Sequence, residues 1–247
     1  MKKIILLSAV LLLAGCQSHK KTNAVVPDVI TAKAKHDTDD PAIWVNPADM
    51  TRSLIVGTDK DSDGALYVYD LRGNIINTVT GLKRPNNVDI AYSLELGDTL
   101  VDIAVVTERE TNSIRVFSLP YMKALDNGGI PVFVNQEQRA PMGIALYTKQ
   151  DSVGKSQIYA IVSRKEGPPD GYLFQYLLKP DSQGGITGEL IRQFGKYSGK
   201  KEIESIAVDN ELGFVYYSDE QTGVRKYYAD PASGNEELAL FADFGFK

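Results

Sequence analysis

The feature that most constrains the fold is a pattern of short strands that repeats four times. Each unit begins with an apolar run, continues with a second run that ends in charged residues, and closes with a third run of alternating polar and apolar residues. A Thr or Ser precedes the charged residues each time, at spacings of 49, 56 and 55 residues. The predicted strands are 41–45, 54–60, 66–70, 88–92, 103–109, 114–117, 143–147, 159–166, 173–176, 205–208, 215–220 and 224–228.

A period of about fifty residues built from antiparallel strands is typical of β-propeller blades. We therefore predict an all-β chain with four propeller blades. A β-sandwich is the alternative, but a sandwich does not require the same Thr/Ser-plus-charge position in four successive units. In a propeller the innermost strands line a central channel, and equivalent strand ends meet on one face.

This arrangement predicts a ring of charged residues around the channel. We expect Lys60, Arg109 and Lys165 to converge on one face. Carboxylates from the same strand ends are expected among them, namely Asp59, Glu108, Glu166, Asp219 and Glu220. The starts of the inner strands add Asp39, Asp40, Asn86, Asn87, Asp89, Glu202 and Glu204. Carboxylates at this density have raised pKa values or bind cations, so the pattern favours a calcium cluster that faces an anionic ligand. The alternative is a set of solvated strand ends without a ligand.

The amino-acid composition limits which partners and metal ions the chain can bind. The chain has 27 Lys and Arg against 32 Asp and Glu, a net charge of −5, which argues against nucleic acid as the main partner. A single Cys excludes a disulfide framework and a Cys-rich zinc site, and two His leave little room for His-based metal binding. Carboxylates, amides and backbone carbonyls remain as ligands, and these suit hard cations such as Ca²⁺.

The first residues have the pattern of a targeting signal. Lys2 and Lys3 precede an apolar stretch at 4–13 that is too short to span a bilayer. The stretch ends in L-A-G-C at 13–16, which resembles the lipobox of bacterial lipoproteins. The resemblance implies a signal peptide at 1–15 and a lipid on Cys16, with a plain secretory signal as the alternative. Residues 16–35 are predicted to be a tether and 36–247 the propeller.

Three segments carry a second resemblance. They are H-D-T-D-D-P-A-I-W at 36–44, G-T-D-K at 57–60 and R-P-N-N-V-D-I at 84–90. Together they resemble the β-propeller phytases, from about residue 34 to the end of the chain. The resemblance implies a six-bladed propeller, of which about four blades are present here. It also implies calcium-dependent hydrolysis of phosphate monoesters of phytate (myo-inositol hexakisphosphate), with phytate or other inositol phosphates as the partner.

The resemblance assigns roles residue by residue. The metal ligands are Asp39, Asp40, Pro41, Asn86, Val88 and Glu204. The substrate-binding residues are Lys60, Arg109, Lys165 and Glu220, with Glu204, Lys60 and Arg109 as the catalytic set. The chain lacks an R-H-G-x-R-x-P run and its one Cys lies at the lipobox, so we expect attack by water without a covalent enzyme intermediate.

The chain also departs from the family pattern. Met142 stands where the family often has a Tyr that contacts phosphate, Ala91 where it often has Arg or Lys, and Ser205 where a Gly usually follows the bridging glutamate. A four-blade arc would expose two sheet edges, so we expect the sequence to be part of a longer protein.

Two other functions stay open at this point. One is another calcium propeller hydrolase, such as a lactonase, which would not need three cations at equivalent blade positions. The other is a calcium-binding propeller without enzymatic activity. In each case we expect a protein lipid-anchored on the extracytoplasmic side of a bacterial membrane, either the outer membrane or the cell surface. The sequence indicates no nucleic acid and no protein partner.

Overall fold

A computed structural model describes residues 25–245 of the chain. Its sixteen strands form four antiparallel sheets, and each sheet is a simple meander of four consecutive strands. We call these sheets blades 1 to 4. Two short 3-10 helices, Met50–Arg52 and Pro231–Ser233, lie in connections. The prediction of an all-β chain with four propeller blades is confirmed.

The strands of each blade follow one another from the channel outward. Blade 1 contains β1 (Thr38–Trp44), β2 (Leu54–Asp59), β3 (Gly64–Tyr69) and β4 (Ile75–Leu82). Blade 2 contains β5 (Pro85–Leu96), β6 (Thr99–Glu108), β7 (Ser113–Leu119) and β8 (Ile130–Pro131). Blade 3 contains β9 (Pro141–Gln150), β10 (Ser156–Arg164), β11 (Asp170–Pro180) and β12 (Ile186–Lys196). Blade 4 contains β13 (Ile206–Asp209), β14 (Phe214–Asp219), β15 (Gly223–Tyr228) and β16 (Ala239–Asp243).

The hydrophobic core is divided among the junctions between neighbouring blades. Successive side chains of a strand point to opposite faces of its sheet, so a central strand serves two junctions at once. In β6, Ala104 and Val106 pack between blades 1 and 2, whereas Ile103 and Val105 pack between blades 2 and 3. A third cluster, rich in tyrosine, joins blades 3 and 4. Face-to-face packing of consecutive sheets in this way is the arrangement of a propeller and excludes the two-sheet sandwich.

The Thr or Ser that recurs in the sequence pattern forms hydrogen bonds between neighbouring blades. The Thr58 hydroxyl donates to Asn86 O of blade 2 at 2.8 Å and accepts from Asp40 N of its own blade at 2.9 Å. Thr107 and Ser163 do the same one blade further on, donating to Met142 O and Ile203 O at 2.6 Å each. In these three blades the hydroxyl is therefore a link to the start of the next blade.

Parts of the amino-terminal predictions lie outside the described residues. These are the signal peptide at 1–15, the lipidation site Cys16 and the first part of the tether. In the described part of the tether, Ala32 N donates to Gly73 O at 2.8 Å, and Lys35 N donates to the Tyr67 hydroxyl at 3.2 Å. These contacts lie along blade 1. Within residues 25–245, no helix is long and apolar enough to cross a membrane.

Candidate active site at the mouth of the central channel

The inner strands of the four blades surround a polar cavity of about 330 Å³. Asp40 of β1, Val88 and Asp89 of β5, Ile144 of β9 and Ile206 of β13 all contribute to its wall. Residues from every blade therefore share one channel, although more than a hundred and sixty positions separate the first from the last. Lys60, Arg109, Asp39 and Glu204 lie together at one end of this channel, which we call the mouth.

Strand ends that are equivalent in the four blades present Lys60, Arg109, Lys165 and Glu220. The backbone N–H of each donates to the segment that leads into the inner strand of the same blade. The four acceptors are the carbonyl oxygens of Asp37, Arg84, Ala140 and Glu202, at 2.7, 3.1, 2.8 and 3.1 Å. This repeated hydrogen bond gives the four side chains the same starting point in each blade.

Lys60 lies between two carboxylates that come from different ends of the chain. Its Nζ is 2.5 Å from Asp39 Oδ1 and 3.9 Å from Glu204 Oε1. The Lys60 and Asp39 side chains are about one-fifth exposed. The second carboxylate oxygen of Asp39, Oδ2, is buried and has no hydrogen-bond partner among the described residues. A buried carboxylate oxygen without a donor is a costly arrangement unless a cation or water faces it.

Asn86 joins Glu204 to Arg109. The Asn86 amide is fully buried, and its Nδ2 donates to Glu204 Oε1 at 2.7 Å, a contact between blade 2 and the segment that enters blade 4. Its Oδ1 accepts from Arg109 Nη2, which also contacts Met142 Sδ. Burial lowers the pKa of Arg109, and the nearby positive charge of Arg84 lowers it further. Met142, which stands where the resembled family often has a Tyr, thus touches one of the predicted phosphate-binding cations.

The predicted ligands Asp40, Pro41 and Val88 lie deeper, where blade 1 meets blade 2. Asp40 Oδ2 accepts from Val88 N at 2.9 Å, so this carboxylate links the two inner strands directly. Burial raises the pKa of Asp40, and the charge of Asp39 adds to that effect, against the hydrogen bond from Val88 that lowers it. Pro41 follows in β1, opposite Gly57.

Lys165 and Glu220 both contact the segment that carries Glu204. Lys165 Nζ lies 2.7 Å from Glu202 Oε1, and Lys201 Nζ lies 3.1 Å from Glu220 Oε2. The structure therefore brings Asp39, Lys60, Asn86, Arg109 and Glu204 into one cluster, with Lys165 held beside it through Glu202. Glu220 lies at the edge, against Lys201. The roles assigned to these residues stay predictions.

Three carboxylates expected at the mouth lie elsewhere. Asp59, Glu108 and Asp219 are buried inside their blades, where each accepts a backbone N–H from the segment before the inner strand, given by His36, Lys83 and Ser198 respectively. The prediction that they surround the channel is wrong, because neighbouring residues of a strand face opposite ways. In blade 3 this position holds Arg164, which is also buried.

Among residues 25–245, no group of three or more His, Cys, Asp or Glu side chains is arranged to hold a metal ion. A cation at the mouth would therefore need amide or backbone oxygens besides carboxylates. Asn86 Oδ1 and the carbonyl groups of the inner strands are the available donors of this kind.

Known proteins that resemble this chain include members of one enzyme family. The sequence model of the phytase family matches residues 1–243. The chain belongs to the phytase family. A 3-phytase of Bacillus subtilis (strain 168) is 28% identical over 226 residues, an alignment that covers 89% of this chain and 55% of the relative. The chain thus spans little more than half the length of that phytase.

Two solved structures resemble the chain more distantly. The Dos1 propeller is 13% identical with a TM-score of 0.44, and the match covers 82% of this chain and 47% of the other. The hydrazine synthase of Kuenenia stuttgartiensis is 14% identical with a TM-score of 0.38, over 78% of this chain and 65% of the other.

Proposed function

We propose that this protein is a calcium-dependent phosphomonoester hydrolase that acts on phytate and releases inorganic phosphate. Membership of the phytase family supports the reaction class, and the relative named 3-phytase supports the substrate. The observation that carries the proposal is the cluster of Lys60, Arg109, Asn86, Asp39 and Glu204 at one end of the channel.

The cations of the mouth suit a substrate that carries many phosphates. Lys60 and Lys165 are held in ion pairs, so their ammonium groups are already positioned before a substrate arrives. Arg109 presents a planar guanidinium, which matches two oxygens of a phosphate group. The three side chains come from three blades, so a bulky polyanion in the mouth can contact all of them together.

The oxygen donors at the mouth fit calcium. Asp39 Oδ2 is buried without a partner, and carboxylate, amide and carbonyl oxygens are the ligands that Ca²⁺ takes in proteins. Asp39, Asn86 and Glu204 would hold calcium beside the substrate, and Asp40 with the backbone of Pro41 and Val88 would hold it between blades 1 and 2. Bound calcium would neutralise phosphate oxygens and lower the pKa of a water molecule.

The chain's own residues would complete the reaction. Glu204 is oriented by Asn86 and stays 30% exposed, so its free oxygen can accept a proton from a water molecule in the mouth. Lys60 and Arg109 stabilise the negative charge of the phosphoryl group while that water attacks. The leaving inositol oxygen takes its proton from solvent, because the mouth is open.

Phosphate release from phytate by the full-length protein, with calcium and after removal of calcium by a chelator, tests this proposal. We expect release with calcium and loss of release after chelation, restored when calcium is added back. Hydrolysis that survives chelation contradicts the role of calcium. Calcium binding without any phosphate release contradicts the phytase function and supports a binding module, and hydrolysis of lactones alone supports the other propeller hydrolases.

We also propose that the mature protein is anchored by a lipid on Cys16, on the extracytoplasmic side of a bacterial membrane. The L-A-G-C run at 13–16 supports this location. Cys16→Ser is expected to move the protein from the membrane fraction into the soluble fraction or to block its processing. A wild-type protein without lipid at Cys16 by mass spectrometry would exclude the anchor.

A further inference from the structure

Arg84 has an unusual backbone conformation at the edge of the mouth. Its φ is +58°, in the left-handed region that residues other than glycine rarely adopt. Its N–H donates to Asp61 O of blade 1 at 2.9 Å, and its C=O accepts from Arg109 N of blade 2 at 3.1 Å. Both blades therefore hold Arg84 in place. Strained residues of this kind are concentrated at functional sites, and they persist where the surrounding structure enforces them.

The Arg84 side chain has no partner that neutralises it. It is partly buried, yet it makes no hydrogen bond or ion pair with any residue in the described part of the chain. The Arg109 N–H that donates to Arg84 O at 3.1 Å makes the two arginines direct neighbours across the start of blade 2. Two arginines therefore start from adjacent backbone positions at the edge of the mouth.

Arg109 forms no direct ion pair either among residues 25–245, although the carboxylates of Glu204, Glu202 and Asp39 lie near enough to favour its charged form. Its Nη2 contacts neutral atoms, Asn86 Oδ1 and Met142 Sδ, and its Nε is buried without a hydrogen-bond partner among residues 25–245. This sets the arginines apart from Lys60 and Lys165, which each have a carboxylate within 2.7 Å. Like charges held together in a partly buried site repel each other, and an anion between them removes that cost.

We propose that Arg84 binds the same substrate phosphate as Arg109, so that two guanidinium groups hold one phosphate between blades 1 and 2. A phosphate monoester carries up to two negative charges and several acceptor oxygens, which two arginines can contact in parallel. The inference deepens the proposed function and rests on it. It adds to the substrate site a residue that has no counterpart at the repeated strand-end positions.

Arg84→Gly in the full-length protein tests the inference. Glycine removes the guanidinium and adopts positive φ without strain, so the variant is expected to melt no lower than the wild type. Loss of a charge-assisted hydrogen bond is expected to weaken binding of inorganic phosphate about tenfold or more, measured by calorimetry with saturating calcium. The KM for phytate is expected to rise by a similar factor. Phosphate binding equal to that of the wild type would overturn the inference.

Lys83→Gln is the matched control. It removes one positive charge from the neighbouring residue, whose Nζ donates to Ser62 O at 3.2 Å on the loop of blade 1. We expect phosphate affinity within about twofold of the wild type, since charges separated by solvent interact weakly. Equal weakening by Lys83→Gln and Arg84→Gly would mean that only the overall positive field matters, which also overturns the inference.

The two proposals fail in different ways. If the wild type hydrolyses phytate and Arg84→Gly has an unchanged KM, the proposed function stands and the role of Arg84 falls. If the wild type binds phosphate in an Arg84-dependent manner but releases none from phytate, the role of Arg84 stands and the proposed function falls.

Discussion

Lys60 and Arg109 occupy equivalent positions in neighbouring blades, but their surroundings differ. Lys60 is paired with Asp39 and lies within 4 Å of Glu204, whereas Arg109 is held by the amide of Asn86. The positive charge of a lysine between two carboxylates is compensated even when no substrate is bound. An arginine held by an amide keeps its positive charge available for a ligand. The difference suits a site in which one cation is positioned by the protein and the other is neutralised by phosphate.

Lys60→Gln tests the residue that joins blade 1 to Glu204. Removal of a cation that stabilises charge in the transition state is expected to lower kcat/KM for phytate about 100-fold. The Lys60–Asp39 pair is partly exposed, so the free energy of unfolding is expected to change by no more than about 1 kcal/mol. Steady-state kinetics and urea denaturation measure the two quantities.

The control for that variant is Lys179→Gln. Lys179 pairs with Glu189 at the surface, far from the channel, and both side chains are about half exposed. The substitution is expected to leave turnover unchanged. Wild-type turnover in Lys60→Gln would remove Lys60 from the catalytic set, and a similar loss in both variants would point to a general effect of charge.

At the scale of strands and blades, the hydroxyl of Thr107 connects two inner strands. It donates to Met142 O at 2.6 Å and accepts from Asn87 N at 3.1 Å, and it is fully buried. Thr107→Val keeps the shape and removes both hydrogen bonds, which leaves a buried donor and a buried acceptor unpaired. We expect a loss of about 1–3 kcal/mol in the free energy of unfolding.

Thr107→Ser retains the hydroxyl and is the matched control for this link. It is expected to lose less stability than Thr107→Val, although it removes a buried methyl group. Urea denaturation of both variants measures this difference in the free energy of unfolding. If Thr107→Val is as stable as the wild type, the recurring hydroxyl is not an energetically important link between blades.

An ion pair between blades 3 and 4 gives a pH-dependent prediction. Lys149 Nζ lies 2.9 Å from Asp230 Oδ1. Partial burial acts to raise the pKa of Asp230, but the hydrogen bonds from Lys149 and from Ala232 N outweigh it and hold the pKa below its ordinary value. A carboxyl with a lowered pKa in the folded state stabilises the fold above its unfolded pKa and loses that contribution as the pH falls through its folded pKa.

Asp230→Asn keeps an acceptor for Ala232 N and removes the charge. It is expected to be less stable than the wild type by about 0.5–1 kcal/mol at pH 7, a modest value because the pair is partly exposed. The difference is expected to shrink as the pH falls below about 4, where the unfolded carboxyl also becomes protonated. Thermal unfolding at several pH values measures it, and a difference that is constant down to pH 2 would contradict the assignment.

The blades could be predicted from the sequence because each repeats one strand pattern. The repeated Thr or Ser, followed by charge, marked the same strand end in every blade. The two residues after it could not be separated by that pattern, so Asp59 and Asp219 were expected at the mouth together with Lys60 and Glu220. Strand alternation, applied at each strand end, is the signal that distinguishes the buried residue from the residue at the channel.

Contacts between segments far apart in the chain could not be predicted from the sequence. The hydrogen bond from Asn86 to Glu204 joins residues 118 positions apart, and nothing local indicates it. Arg84 appeared in the sequence only as part of a motif. Its left-handed backbone and its unpaired charge depend on how blades 1 and 2 meet, which is a property of the folded molecule.

At the scale of the whole molecule, a chain with a net charge of −5 gathers several cations at one end of its channel. Lys60, Arg109 and Lys165 come from three blades and converge because equivalent strand ends converge, whereas Arg84 lies just before the inner strand of blade 2. Hydrogen bonds between neighbouring blades, from Thr58, Thr107 and Ser163, hold these three strand ends in place. The chain spans 55% of the length of its 3-phytase relative, so activity is a property to be measured on the full-length protein.

The most direct test of this account is a crystal structure of the full-length protein with calcium and inorganic phosphate. We expect phosphate within hydrogen-bond distance of Lys60 Nζ and of the Arg109 guanidinium, and calcium in contact with Asp39 and Glu204. Phosphate bound away from the mouth, with Lys60, Arg109 and Glu204 making no contact with phosphate or metal, would contradict the central claim that these distant residues form one site.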